Sequence, residues 1–260
     1  MALYHSLSAQ EQINDSNGQW GLRAGWTQSL VHDQHTSPLL YQSDRLAIGG
    51  IYRSTHPFFL EISLGVSIGP NQPRNLGQRT GEVTEPADIY GTPSSYEIKA
   101  YPFFSRLDGQ LSVRARWALN NRHQLGVSLN ARHIYTGMGI DDWHYTQVDL
   151  APEYAFQYGI LRGDLEFSAS LPLLAGVVRP NYAFDPSLPD LTNYYRGYLR
   201  TSSEITSIHR LFNPRVRAGY TWRLSKEQSI GVHYRAQWTS YPDPRPLRMF
   251  DNGIDLSYFF

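Results

Sequence analysis

The sequence predicts an all-β fold, a single transmembrane antiparallel β-barrel of about twelve strands, and three observations carry that prediction. Apolar residues recur with period two rather than 3.6 along most of the chain. Arginines and acids fill the opposite phase in strand after strand. The connections divide into short turns and long polar loops, the pattern of barrels with lipid outside and a polar interior.

Each strand is read from its alternation. In FFLEISLGVSIG, Phe58, Leu60, Ile62, Leu64, Val66 and Ile68 share one face, while Glu61, Ser63, Gly65 and Ser67 share the other. Trp20, Leu22, Ala24 and Trp26 alternate with Gly21, Arg23 and Gly25. The apolar sets Leu111–Leu119, Leu125–Ala131, Leu165–Leu171, Val216–Leu224, Ile230–Trp238 and Ile254–Phe260 repeat the pattern. Weaker strands are expected at 44–54, 95–105, 145–157 and 193–207. Short turns are expected at 55–57, 107–109, 120–123 and 225–228, and long loops at 31–43, 70–94 and 174–192. No composition shift marks a linker, so residues 19–260 read as one barrel preceded by a tail at 1–18.

Composition removes other classes. Lys and Arg total 23 against 23 Asp and Glu, so there is no basic footprint for nucleic acid. No cysteine is present, which excludes thiol catalysis and cysteine-ligated zinc. The chain is 41% hydrophobic and 18% charged, too apolar for disorder. Its longest apolar run, Leu171–Val178, contains Pro172 and is far short of the roughly 20 residues of a membrane helix. The N-terminus lacks a basic and apolar leader; Ser8-Ala9 before Gln10 could be the end of a clipped signal, which leaves open whether Met1–Ala9 belongs to the mature chain.

A soluble sandwich alternates too, but Trp20, Trp26, Trp117, Trp222, Trp238 and Tyr258 sit near the ends of the apolar phase, where a membrane interface favours amphipathic rings. On these residues the chain resembles bacterial outer-membrane β-barrel proteins. The last strand, GIDLSYFF with terminal Phe260, is similar to the C-terminal signal read by the outer-membrane insertion machinery. The resemblance implies residence in the bacterial outer membrane, contact with its lipid, insertion through that machinery, and both chain ends on the periplasmic side. Twelve strands is the expected number, with ten and fourteen open. Twelve would put the 174–192 loop on the periplasmic side; a strand within 80–91 would move it outside, although Pro86 opposes one there.

The polar phase supplies the candidate lumen-lining residues: Arg23, Glu61, Lys99, Arg114, Arg116, Arg132, Asp164, Glu166, Arg215, Arg217, Arg223, His233 and Arg235, with Glu97, Asp149, Glu153 and Asp255 in the same phase. Opposite charges in a narrow interior pair with one another, because an unpaired buried ion costs several kcal/mol. Two outcomes follow, a salt-bridged filled interior or a narrow pore whose selectivity these charges set. The expected role is a narrow solute pore or a structural or adaptor component presenting loops 70–94 and 174–192 to partners, with no cofactor or metal. The alternative is a lipid-modifying acyl hydrolase or acyltransferase, and after it a soluble carbohydrate-binding sandwich. His133 and Ser240, at outward strand ends, are the enzyme candidates, but no GxSxG elbow accompanies them. His32, His35, Asp141, Asp142 and His144 offer too few oxygen ligands for calcium and read as loop residues.

Overall fold

The computed structural model describes residues 18–35, 37–76, 79–85, 94–100, 104–138, 141–179, 203–225 and 227–260. These form β1 (Gln19–Asp33), β2 (Leu40–Ser54), β3 (Phe59–Pro73), β4 (Arg79–Glu85), β5 (Ser94–Ala100), β6 (Phe104–Ala118) and β7 (His123–Met138). The chain continues through β8 (Asp141–Ile160), β9 (Gly163–Ser170), β10 (Leu174–Val178), β11 (Ser203–Ser207), β12 (Arg215–Arg223), β13 (Ser229–Tyr241) and β14 (Leu247–Phe259). The main sheet has twelve strands, and ten of them close a ring in the order β1-β2-β3-β6-β7-β8-β9-β12-β13-β14. Every neighbour pair is antiparallel, and β14 returns to β1 with Leu22 opposite Tyr258 and Leu30 opposite Phe250. Trp20 and Phe260 exchange backbone hydrogen bonds of 3.2 and 2.9 Å at the seam. Closure leaves the ten ring strands without an edge, which is the condition for a sheet to sit in hydrocarbon.

The two remaining strands of that sheet extend broken ones. Along β8, Glu153 faces Ser170 of β9 and Leu150 faces Leu174 of β10, so β9 and β10 follow one another on the same edge. The interruption falls at Leu171–Leu173, where Pro172 has no N–H to offer the ladder. In the same way β11 pairs with β10 and β12 with β9, and the break between them contains Pro214.

The structure corrects the expected path at several places: the loop expected at 31–43 narrows because β1 runs to Asp33 and β2 begins at Leu40, and the loop expected at 174–192 begins with strand β10. No turn forms at 107–109: β6 runs straight through Leu107, Asp108 and Gly109, with Gly109 paired to Val66 and to His133. The expected strand at 95–105 is instead β5, which pairs with β4 alone, outside the barrel. A strand does form within the segment that contains 80–91, ending at Glu85 immediately before Pro86. With that hairpin removed from the ring, the connection after β10 falls on the same end as the β1–β2 turn and the β3–β6 connection. This loop end faces outward in an outer-membrane barrel, and the opposite, turn end carries the short connections and the closing contact between Trp20 and Phe260. Apart from Gly18 the expected tail, together with 180–202, lies outside the described residues.

The barrel's exterior is apolar. Leu22 (62% exposed), Leu46, Ile48, Leu64, Ile68, Leu129, Val148 and Leu256 all face outward. From Leu60 to Ile68 the stripe on β3 covers about 26 Å along the strand, reduced to about 20 Å by a tilt of about 40°. Aromatic rings frame it at the turn end: Trp20 against Tyr52 (5.0 Å between centroids), Phe58 against Trp117 (5.6 Å) and Tyr220 edge-on to Trp222 (4.7 Å). At the other margin, Gln28 and Gln42 both donate to Asp44 on the outer surface (3.1 and 3.2 Å), too polar a group for hydrocarbon. A closed barrel with this belt is an outer-membrane protein. Leu64→Arg, near the middle of the belt, is expected to lower unfolding free energy by about 2–4 kcal/mol, and Leu40→Arg near the loop end by about 0–1 kcal/mol. Urea titration in lipid measures both, and equal costs would place the belt wrongly.

Candidate functional site

Because alternate residues of ten strands turn inward, the barrel axis collects arginines and carboxylates from strands distant in sequence. Toward the loop end, Arg132 of β7 donates through Nε to Asp108 of the adjacent β6 (3.1 Å). It also crosses the barrel to Asp251 of β14 (Nη1–Oδ2 2.8 Å, Nη2–Oδ1 3.0 Å). Arg45 lies 3.4 Å from Asp251 and 3.6 Å from Asp108, and Arg106 lies 3.5 Å from Asp108 and 3.7 Å from Asp251. Ser29 donates its hydroxyl to Asp251. Two carboxylates thereby serve three guanidinium groups, and all five side chains are buried.

A second cluster lies toward the turn end. Glu61 accepts from Arg53 (2.7 Å) and Arg217 (2.8 Å), with Arg114 at 3.5 Å. Glu153 lies 3.8 Å from both Arg114 and Arg116, and Arg116 continues to Glu166 at 3.3 Å. Two rings lie beneath this cluster: the Arg116 guanidinium sits 3.9 Å from the Phe59 centroid, and Arg53 sits 4.2 Å from that of fully buried Phe259. Cation–π contact and ion pairing act together on the same arginines. Between the clusters Arg215 is paired with Asp149, which also accepts from Gln147 (2.7 Å). Arg235 reaches Gln110 (2.8 Å), Thr27 (3.0 Å) and Asp255 (3.3 Å).

The loop end is closed by different chemistry. Val31, Ile134, Trp143, Tyr145, Ala175, Val177, Leu211, Tyr241, Leu247 and Met249 form a buried apolar cluster inside the barrel. Across it, Arg179 at the end of β10 ion-pairs with Asp33 of β1 and donates to the carbonyls of Asp243 and Arg245 in the β13–β14 turn. Trp143 donates its indole N–H to the other oxygen of Asp33 (2.8 Å). Between apolar cluster and turn-end rings lies a cavity of about 110 Å³ bordered by both charge clusters.

Of the residues selected from sequence, Arg23, Glu61, Arg114, Arg116, Arg132, Glu166, Arg215, Arg217, His233 and Arg235 come together in this interior; Ser257 is 3.4 Å from Nδ1 of the buried His233. Asp164 and Arg223 pair with one another at the exposed turn-end rim. Lys99 is a correction: it belongs to β5 and pairs in register with Thr80 of β4, so it is not a barrel residue. Arg45, Arg53, Arg106, Asp108 and Asp251 were not selected, although Arg106 and Asp108 continue the phase of Ser112 and Arg114 on an unbroken strand. Outside the barrel, His133 holds Thr146 at 2.8 Å, and its ring lies tilted to that of His144 with centroids 5.8 Å apart. Ser240 is on β13, which is not a neighbour of β7, so the structure does not join it to His133. His35 sits in the turn after β1, where its backbone N–H donates to Asp33 (2.9 Å) and partial burial lowers its imidazole pKa below the ordinary value.

Removing Arg132 leaves Asp108 and Asp251 short of their shared cation. Arg132→Met is expected to cost about 3–5 kcal/mol, whereas Arg223→Met at the exposed rim costs under about 1 kcal/mol. Denaturant midpoints of the refolded variants measure the contrast; equal small effects would mean that the interior is hydrated like a surface.

No protein-family model matches the chain, and no curated protein matches it either. Among solved structures it is similar to Neisserial surface protein A (9% identity, 94% of this chain and 99% of that chain, TM-score 0.39). It is also similar to the outer membrane protease OmpT from Escherichia coli (12% identity, 94% and 96%, TM-score 0.38). A third likeness is to an outer membrane channel from Pseudomonas putida F1 (8% identity, 94% and 95%, TM-score 0.43). Likenesses this distant carry no function across; the barrel and its belt stand on the closed sheet described above.

Proposed function

We propose that this outer-membrane barrel is a structural or adaptor component that presents its outer loops to partners, and that it does not conduct solutes. The observation that carries this reading is the pairing of side chains across the interior beneath a covered loop end. Arg132 ties β7 to β14 through Asp251, and the apolar cluster with its Arg179–Asp33 bridge covers the loop end. A pore would require those buried pairs to part, at several kcal/mol each. Of the loops expected at 70–94 and 174–192, the proposed partner surfaces are the parts beyond β3 and beyond β10, since Leu174–Val178 is a strand packed inside the barrel. The β4–β5 hairpin stands beyond the barrel within and beside the first of them.

We further propose that the insertion machinery reads the C-terminal strand. Phe260 supports this: the residue is 54% exposed while its backbone completes the seam with Trp20. Two outcomes test these readings. Protein that shows heat-modifiable migration and has inserted into a planar bilayer is expected to give no discrete conductance steps; reproducible steps would overturn the closed-barrel reading. Deleting Phe260 is expected to reduce the inserted fraction in cells severalfold while the purified variant still refolds in detergent, and unchanged insertion would remove the signal role.

A further inference from the structure

The interior does not balance its charge. The loop-end cluster holds three arginines on two aspartates. The turn-end cluster holds Arg53, Arg114, Arg116 and Arg217 on Glu61, Glu153 and Glu166. Arg215 with Asp149, and Arg235 with Asp255, are one-to-one pairs. Arg23 has no carboxylate within ion-pair distance among the described residues, and its buried Nε has no hydrogen-bond partner. Among the described residues, three guanidinium charges are therefore uncompensated inside the barrel. Arginine does not discharge itself by losing a proton, and an isolated buried ion is costly.

We infer that the cavity is a binding site for one small inorganic anion, of the halide or phosphate class, seated on Arg23 and flanked by Arg217 and Arg235. All three arginines border the 110 Å³ space. A water needs only about 10–15 Å³ of such space, so the cavity accommodates a monatomic or tetrahedral ion together with bridging waters. The planar guanidinium fork matches an oxyanion in two-pronged fashion. Ser112, Ser168 and Ser170 border the same space and add hydroxyl donors. The backbone leaves room for the arrangement: a Cβ on the inward Gly65 of β3 would stand 2.6 Å from Nη2 of Arg23 and push the end of the guanidinium aside.

The test is equilibrium dialysis of the full chain, refolded in detergent, against labelled phosphate at fixed ionic strength, continued until the bound fraction is constant. Saturable uptake approaching one equivalent is expected, displaced by chloride and not by the bulkier gluconate. Arg23→Gln is expected to weaken uptake at least tenfold while keeping heat-modifiable migration, and Arg223→Gln, at the exposed rim, is expected to bind as the parent does. Absence of saturable uptake by the parent protein would overturn the inference. So would equal displacement by gluconate, or undiminished uptake by Arg23→Gln, since either would assign the phosphate to general surface charge.

Discussion

Enclosure is the constraint on which the rest of this structure depends. Ten strands closed on themselves bring alternate side chains into one narrow space, and this sequence fills that space largely with guanidinium and carboxylate groups. Once enclosed, these groups pair chiefly with one another, although some guanidinium nitrogens of Arg23, Arg106 and Arg116 are left without a hydrogen-bond partner among the described residues. Arg45, Arg106, Arg116, Glu61 and Asp108 are almost completely buried, so their hydration has been exchanged for contacts supplied by other strands. Each shared carboxylate consequently acts as a cross-link. Asp251 joins β14 to β2, β6 and β7, and Glu61 joins β3 to β2, β6 and β12. The ladder of backbone hydrogen bonds fixes each strand to two neighbours, whereas these carboxylates fix strands across the barrel.

The same enclosure explains what could be read in advance. Within the membrane belt the two phases differ sharply in chemistry, so the strands around Trp20–Trp26, Phe58–Ile68 and Ile254–Phe260 were legible from alternation alone, and so were the inward arginines between them. Toward the loop end the chemistry inverts while the period persists. Val31, Ile134, Leu247 and Met249 turn inward, and His32, His133 and Arg248 take outward positions in the alternation. A reading that equates apolar with lipid-facing therefore ends its strands at this inversion. It assigned a loop where β1 continues to Asp33, and read the last strand only from Gly253 although β14 begins at Leu247.

Two further features lay outside local pattern. Leu107-Asp108-Gly109 has the composition of a tight turn, and only the pairing of β6 with β3 and β7 shows that it is an extended strand whose aspartate is consumed by Arg132. The β4–β5 hairpin alternates as a barrel strand would, yet pairs with nothing in the ring, which is why Lys99 falls away from the interior residues. Recognising a strand is a local problem; recognising which strands close the barrel is not.

The chain has no cysteine, so a single introduced thiol reports one position without background. The most direct test of a closed interior is the reaction rate of Ser128→Cys, at an inward position 2% exposed, with a small charged thiol reagent in the folded, membrane-inserted protein. Ser225→Cys, in the exposed β12–β13 turn, serves as the reference in permeabilised vesicles. Protection of the thiol at 128 by at least a hundredfold relative to 225, lost in denaturant, is the predicted result. Comparable rates at the two positions would mean a water-filled lumen and would contradict the account.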